Sequence, residues 1–214
     1  MKKLLLSFGA VVLLAAGAQA QVSYGLKAGV NLGKFSNQSD MAKDYQTNNV
    51  SFFVTGFADL PVATNFSVQP GVSLQGKGNK FKYDGDGLDG KSTTNVMSIE
   101  IPVNAVYWIP TGASGSVFLG AGPYVGFNVS GKQKFEGNLG ELGGEGESDI
   151  NFGGGDDEMK VVDAGANFLA GYKFGNGLLI NAGYGLGLSN LSNSSDSDDK
   201  FSNRVLSFGV GFQF

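Results

Sequence analysis

Few residues in this 214-residue chain could do chemistry, because it contains no histidine and no cysteine. An imidazole base is therefore absent, and so are disulfides and Cys-ligated metals. What remains is a thin set of charged groups placed inside alternating apolar stretches: Lys27, Asp59, Lys77, Glu100, Asp163 and Lys173. Carboxylates such as Asp59, Glu100 and Asp163 could supply acid/base chemistry if they shared an interior. The structural role is the expectation here: Glu100 or Asp59 paired with Lys27 in a buried ionic network, because a lone charge in a narrow interior is costly. No catalytic residue, metal ligand or cofactor is assigned.

A second acidic group lies in Gly- and Ser-rich segments. One holds Glu136, Glu141, Glu145, Glu147, Asp149, Asp156, Asp157 and Glu158, and the other Asp196, Asp198 and Asp199. Oxygen ligands of this type suit weak divalent-cation binding that could bridge to anionic lipopolysaccharide. "DSDD" lacks the spacing and glycine of a calcium-binding helix–loop–helix, so a solvated acidic loop is the expectation.

The elements that must position these residues are read from period two. "VSYGLKAGVNLG" puts Val22, Tyr24, Leu26, Ala28, Val30 and Leu32 on one parity and Ser23, Gly25, Lys27, Gly29, Asn31 and Gly33 on the other, as a strand does. The same alternation recurs in "FFVTGFADL", "FSVQPGVSLQGKG", "SIEIPVNAVYW", "SVFLGAGPYVGFNVS", "VVDAGANFLAGYK", "LLINAGYGLGLS" and "RVLSFGVGFQF", giving eight strands. Three links are short ("PVATN", "IPTGASG" and "FGNG"), and they alternate with long ones. Antiparallel neighbours in an up-and-down sheet place all long links at one end, the pattern of outer-membrane barrels with short periplasmic turns.

Which parity meets water decides the class. A soluble lipocalin-like barrel would need a charged outer face. Here the polar parity is mostly Gly, Ser, Asn and Gln, too thin a cover for that, but suited to the cramped lumen of an eight-stranded barrel. The apolar parity is then expected to face lipid, with Tyr24, Tyr107, Trp108, Tyr172, Tyr184, Phe212 and Phe214 as interfacial girdles. Glycines account for 35 residues without a Gly-X-Y repeat, and Gly183, Gly185, Gly187, Gly209 and Gly211 fall on the lumen parity, where small residues make room. Pro70, Pro102 and Pro123 lie inside strands, where a bulge or local distortion is expected at each.

Residues 1–20 have the layout of a secretory signal: Lys2 and Lys3, an apolar run around "VVLLAA", then Ala18-Gln19-Ala20. A mature domain over residues 21–214 follows as an expectation. Without Lys2 and Lys3 the 15 basic residues fall to 13 against 19 acidic ones, a net charge of −6. Nucleic acid is excluded as a partner on that balance.

The segments "IEIPVNAVY", "GAGPYVGF", "FADLPVATNFSVQPGVSLQGKG" and "RVLSFGVGFQF" together resemble the PorT-like family of small outer-membrane barrels, common in Bacteroidota, over Tyr24 to Phe214. The resemblance implies an eight-stranded antiparallel barrel of the OmpA and OmpX type, located in the outer membrane. It also implies a C-terminal aromatic signal at Phe212 and Phe214 for the barrel-assembly machinery. One namesake of the family serves a protein-secretion system. Several membrane barrels are enzymes, but those compared use a histidine, which this chain lacks. The expected partners are outer-membrane lipid, lipopolysaccharide and an envelope protein met through the loops. Two function classes stay open: a structural or interaction barrel filled by its own side chains, and a narrow passive channel for ions or very small solutes.

The reading is checked by comparing unboiled with boiled protein from washed outer membranes on a detergent gel. A closed barrel changes its mobility on boiling, whereas a soluble periplasmic protein does not.

Overall fold

The computed structural model describes residues 22–36, 44–85, 88–138, 144–155, 158–193 and 200–214, so the expected signal segment lies outside the described residues. Ten strands occur among the described residues: β1 Ser23–Phe35, β2 Gln46–Thr47, β3 Asn49–Ala63, β4 Phe66–Gly85, β5 Leu88–Pro110, β6 Gly115–Asn138, β7 Gly144–Asp149, β8 Val162–Phe174, β9 Leu178–Gly187 and β10 Asn203–Gln213. Eight of them pair as an antiparallel ring in the order β1, β3, β4, β5, β6, β8, β9, β10 and back to β1. The closing ladder runs from Gly25↔Gln213 to Phe35↔Asn203. It is finished by Tyr24 N donating to Phe214 O (3.1 Å) and Phe214 N to Tyr24 O (2.9 Å). The short β2 lies on β4 and β7 on β6, outside the ring.

The faces follow the alternation. Val72 is 61% exposed while its neighbour Ser73 is 1% exposed, and Leu26 is 55% exposed beside Lys27 at 7%. The wall therefore presents its apolar parity outward and its polar parity to the lumen, as lipid outside a closed ring requires. Trp108 departs from the expected girdle. It packs inward on Phe118 (5.3 Å between centroids) and donates from Nε1 to Ser67 Oγ (2.9 Å), because buried indole needs an acceptor for its N–H.

Glycine and aromatic residues meet across the strands. Phe57 stands opposite Gly25, Phe118 opposite Gly171 and Tyr124 opposite Gly165 in register. A Cβ added at Gly171 would lie 2.4 Å from the Phe118 ring and 2.3 Å from Ile180 O. Each ring covers the backbone of its partner glycine, so the small residue is what lets a bulky neighbour fit the narrow lumen.

One expectation holds in part and one is corrected. Rungs are missing beside Pro70, Pro102 and Pro123, a local distortion of the ladder, but there is no bulge: pairing resumes in the same register on both sides. Irregular register falls instead at Pro61/Ala63 and Met97/Ser98. The third and fifth links also hold paired strand among the described residues. The third is mostly a continuation of β4 and β5, whose ladder runs up to Gly85↔Leu88, and part of the fifth is the upper half of β6 paired with β7. Outside the membrane both faces of a strand meet water, so the alternation that marks a strand in the wall is lost there.

Gly171→Ala is expected to destabilise the barrel by about 1–3 kcal/mol through overpacking. Gly56→Ala, with nothing within 4 Å of the added Cβ, should stay within about 0.5 kcal/mol of wild type. Urea unfolding followed by the fluorescence of Trp108, the only tryptophan, measures both.

Candidate functional site

The lumen is layered. At the turn end, Phe57, Val106, Phe118 and Leu179 form an apolar floor, flanked by Trp108 and Leu169. At the end of the long links, Phe35, Val96, Met159 and Leu191 form a second cluster with Ile150, Phe152 and Phe201 packed on it. Between them the inward parity of every wall strand brings polar side chains together.

The centre of this layer is Lys77 on β4. Its ammonium contacts the Glu100 carboxylate of β5 and donates to Asp163 Oδ2 of β8 at 2.7 Å. It also lies 4.6 Å from the centroid of the Tyr124 ring. Asp163 is fully buried and well supplied: Asn203 Nδ2 donates to Oδ2 at 2.8 Å and Ser189 Oγ to Oδ1 at 3.0 Å. Glu100 Oε1 makes no hydrogen bond of ordinary geometry, and the Lys77 contact is what compensates it. A buried ion pair is held this way only when both charges keep partners.

The expected pairing of Lys27 with Glu100 or Asp59 is thus corrected: Lys77 takes Glu100. Lys77 stands opposite Val96 in register and reaches along the lumen to Glu100, which stands opposite Ser73. Parity puts a residue in the lumen, while its height along the axis comes from strand stagger. Lys77 carries a sequence signal, its polar parity, but nothing in the alternation ranks it above Lys27. Asn203 and Ser189 were not marked by the sequence at all.

Asp59 belongs to a separate network near the turns. Its Oδ1 accepts from Ser67 Oγ (2.6 Å) and Gln69 Nε2 (2.7 Å), and its Oδ2 from Gln213 Nε2 (3.3 Å). Gln213 also donates to Ser23 Oγ (2.6 Å), so this group ties the first and last strands together. Lys27 makes no ion pair among the described residues; its ammonium lies 4.7 Å from the Phe57 ring centroid. Between the two apolar clusters lies a cavity of about 60 Å³, lined by Lys27, Lys77, Glu100, Asn104, Asn181 and Ser207, among others. Phe212 and Phe214 both point outward, 47% and 73% exposed.

The outer hairpins are charged but internally paired. Lys91 meets Glu136 at 2.7 Å, and Glu147 accepts from both Lys132 and Lys134. Hydrogen bonds from those two lysines hold the Glu147 carboxyl at a pKa of about 2, well below the usual carboxylate range. Among the described residues no three carboxylates converge as a metal site would need. Glu141, Asp156, Asp157, Asp196, Asp198 and Asp199 lie outside the described residues.

Lys77→Met leaves two carboxylates buried without their cation and is expected to cost about 3–5 kcal/mol in urea unfolding. Adding Glu100→Gln should recover part of that loss, a coupling that two independent sites would not show.

The solved structures similar to this chain, at low identity, include Ail, the attachment invasion locus protein of Yersinia pestis (14% identity, TM-score 0.41, 91% of this chain and 100% of that one), Neisserial surface protein A (15%, 0.44, 91% and 98%), and the N-terminal β-barrel domain of Pseudomonas aeruginosa OprF (14%, 0.34, 91% and 100%). No curated protein matches the chain. The family model for the outer membrane protein beta-barrel domain matches residues 17–193, which include every wall strand of the ring except β10. With the closed antiparallel ring and its apolar outer face, that match makes this chain a member of the outer membrane protein beta-barrel domain family, placed in the outer membrane.

Proposed function

We propose that this protein is a non-enzymatic barrel with a structural or interaction role, displaying ordered hairpins on the outer side while its own side chains fill the lumen. The observation that supports this reading most is the layered interior: an apolar cluster at each end and the Lys77, Glu100 and Asp163 network between them. Eight strands leave little bore, and the internal cavity of about 60 Å³ has room only for a few waters. Binding residues gather on projecting segments held by a rigid scaffold. The hairpin of β4 with β5 and that of β6 with β7 project in this way, stiffened by cross-strand ion pairs.

Within the family we place the chain in its PorT-like branch, on the "IEIPVNAVY", "GAGPYVGF" and C-terminal "RVLSFGVGFQF" segments. In this reading the signal is cleaved after Ala20, and Phe212 and Phe214 serve as the assembly signal. Outer-membrane lipid and lipopolysaccharide surround the wall, and an envelope protein binds the hairpins. The alternative is a narrow passive channel.

Planar-bilayer recording of the purified, folded protein separates the two: silent bilayers are expected. Reproducible conductance steps would transfer the assignment to the channel. Cross-linking on intact cells from cysteines placed at Lys82 or Glu145, both on the hairpins, is expected to capture a discrete envelope protein. Capture of lipid alone would remove the protein partner.

A further inference from the structure

The outward face of the wall changes chemistry at one level on β1 and β10. Its apolar runs there, Tyr24 to Leu32 and Leu206 to Phe214, are of the length a tilted strand needs to cross the hydrocarbon, about 9–11 residues. The next outward residues are Lys34, which is exposed, and Arg204, which is half-buried and the only arginine of the chain. They stand opposite each other in the closing ladder. Like charges so placed, with Cβ atoms about 5 Å apart, destabilise the pair of strands unless an anion joins them. The turn end is different: its three short links carry no charged side chain, and Asp59 and Lys173 near them face inward.

The other cations above the wall are matched. Lys82, Lys91, Lys132 and Lys134 each meet a carboxylate, whereas neither Lys34 nor Arg204 makes an ion pair among the described residues. The lumen carboxylates Asp59, Glu100 and Asp163 lie on the opposite face of the wall with partners of their own. Arg204 Nη1 donates to neutral oxygens: Gly187 O (2.7 Å), Asn203 O (2.8 Å) and Ser202 Oγ (3.0 Å). Those bonds pin the guanidinium at the rim and leave Nε and Nη2, with three N–H groups, for an outside acceptor. Leu32 and Leu206 lie directly below the pair, and Leu186 stands beside Arg204 in register. A guanidinium fork and an ammonium above an apolar floor suit a phosphate ester that carries hydrocarbon chains. We propose that Lys34 and Arg204 form a headgroup site for a phosphorylated membrane lipid, with one phosphate of a lipopolysaccharide molecule between the two cations and its acyl chains on the leucines. This rests on the reading of the long-link end as the outer side of the membrane.

The test titrates purified protein, folded in a neutral detergent, with bisphosphorylated lipid A and with the same lipid after dephosphorylation, and counts bound lipid by native mass spectrometry. Wild type is expected to hold the phosphorylated lipid and to bind the dephosphorylated one far more weakly. Lys34→Gln and Arg204→Gln should each weaken binding about 5-fold and the double variant about 30-fold, the worth of one and two basic side chains beside an anionic headgroup. Lys34→Arg, which keeps the charge, should bind as wild type does. The mobility shift on boiling shows which variants are folded, and Lys34→Gln, at an exposed position, decides the matter if replacement of Arg204 prevents folding. Equal binding of the two lipids, or of wild type and a folded Lys34→Gln, would overturn the site. Displacement of the lipid by sodium phosphate at equal ionic strength would make it a soluble-phosphate site and overturn the lipid assignment. A wrong orientation is detected separately: Lys82→Cys should react with a membrane-impermeant maleimide on intact cells, and no reaction would put the pair at the inner leaflet and overturn lipopolysaccharide as its ligand.

Discussion

A bilayer interior offers no water to satisfy backbone N–H and C=O groups, and every other feature of this protein follows from meeting that requirement. The ladder between β1 and β10 closes the ring, so no strand in the wall keeps a free edge. Closure makes lipid the outer solvent and confines the polar parity to the inside. A sheet of the same composition left open would expose backbone to hydrocarbon along two edges.

Ring size then dictates the interior. Eight strands enclose a lumen that side chains must fill. Bulky rings enter it where a glycine stands opposite, as Phe57 does at Gly25 and Tyr124 at Gly165. Among the charges inside it, Lys77 links β4 to β5 and β8 through Glu100 and Asp163. The result is a cylinder whose interior is largely occupied by its own side chains, with the ladders of β4, β5 and β6 continuing beyond it.

Above the wall the same strands obey different rules. The upper parts of β4, β5 and β6 meet water on both faces, so they are held by their ladders and by cross-strand pairs such as Lys91 with Glu136. Exposed ion pairs of this kind add little stability. They do fix the acidic side chains in place, which makes the outer segments shaped surfaces and not free chains.

Period-two alternation by itself determined the strand class, the inside-out choice of faces and the side on which each link lies. Val22 to Gly33 shows why: residue types on each parity report what solvent that face meets. The thinness of the polar parity separated a membrane wall from a soluble one. Alternation carries no information about height along the barrel axis, which comes from the stagger of the closed ring. Lys27, Lys77, Glu100 and Asp163 were therefore legible as lumen residues, but only the tertiary structure decided that Lys77 takes both carboxylates and leaves Lys27 beside a cavity. Trp108 was misplaced for a different reason: it adjoins Tyr107, so alternation puts the two on opposite faces, and Trp108 is the inward one, packed on Phe118 and bonded to Ser67. Pairing of Glu147 with Lys132 and Lys134 likewise depends on a cross-strand register that no local pattern encodes.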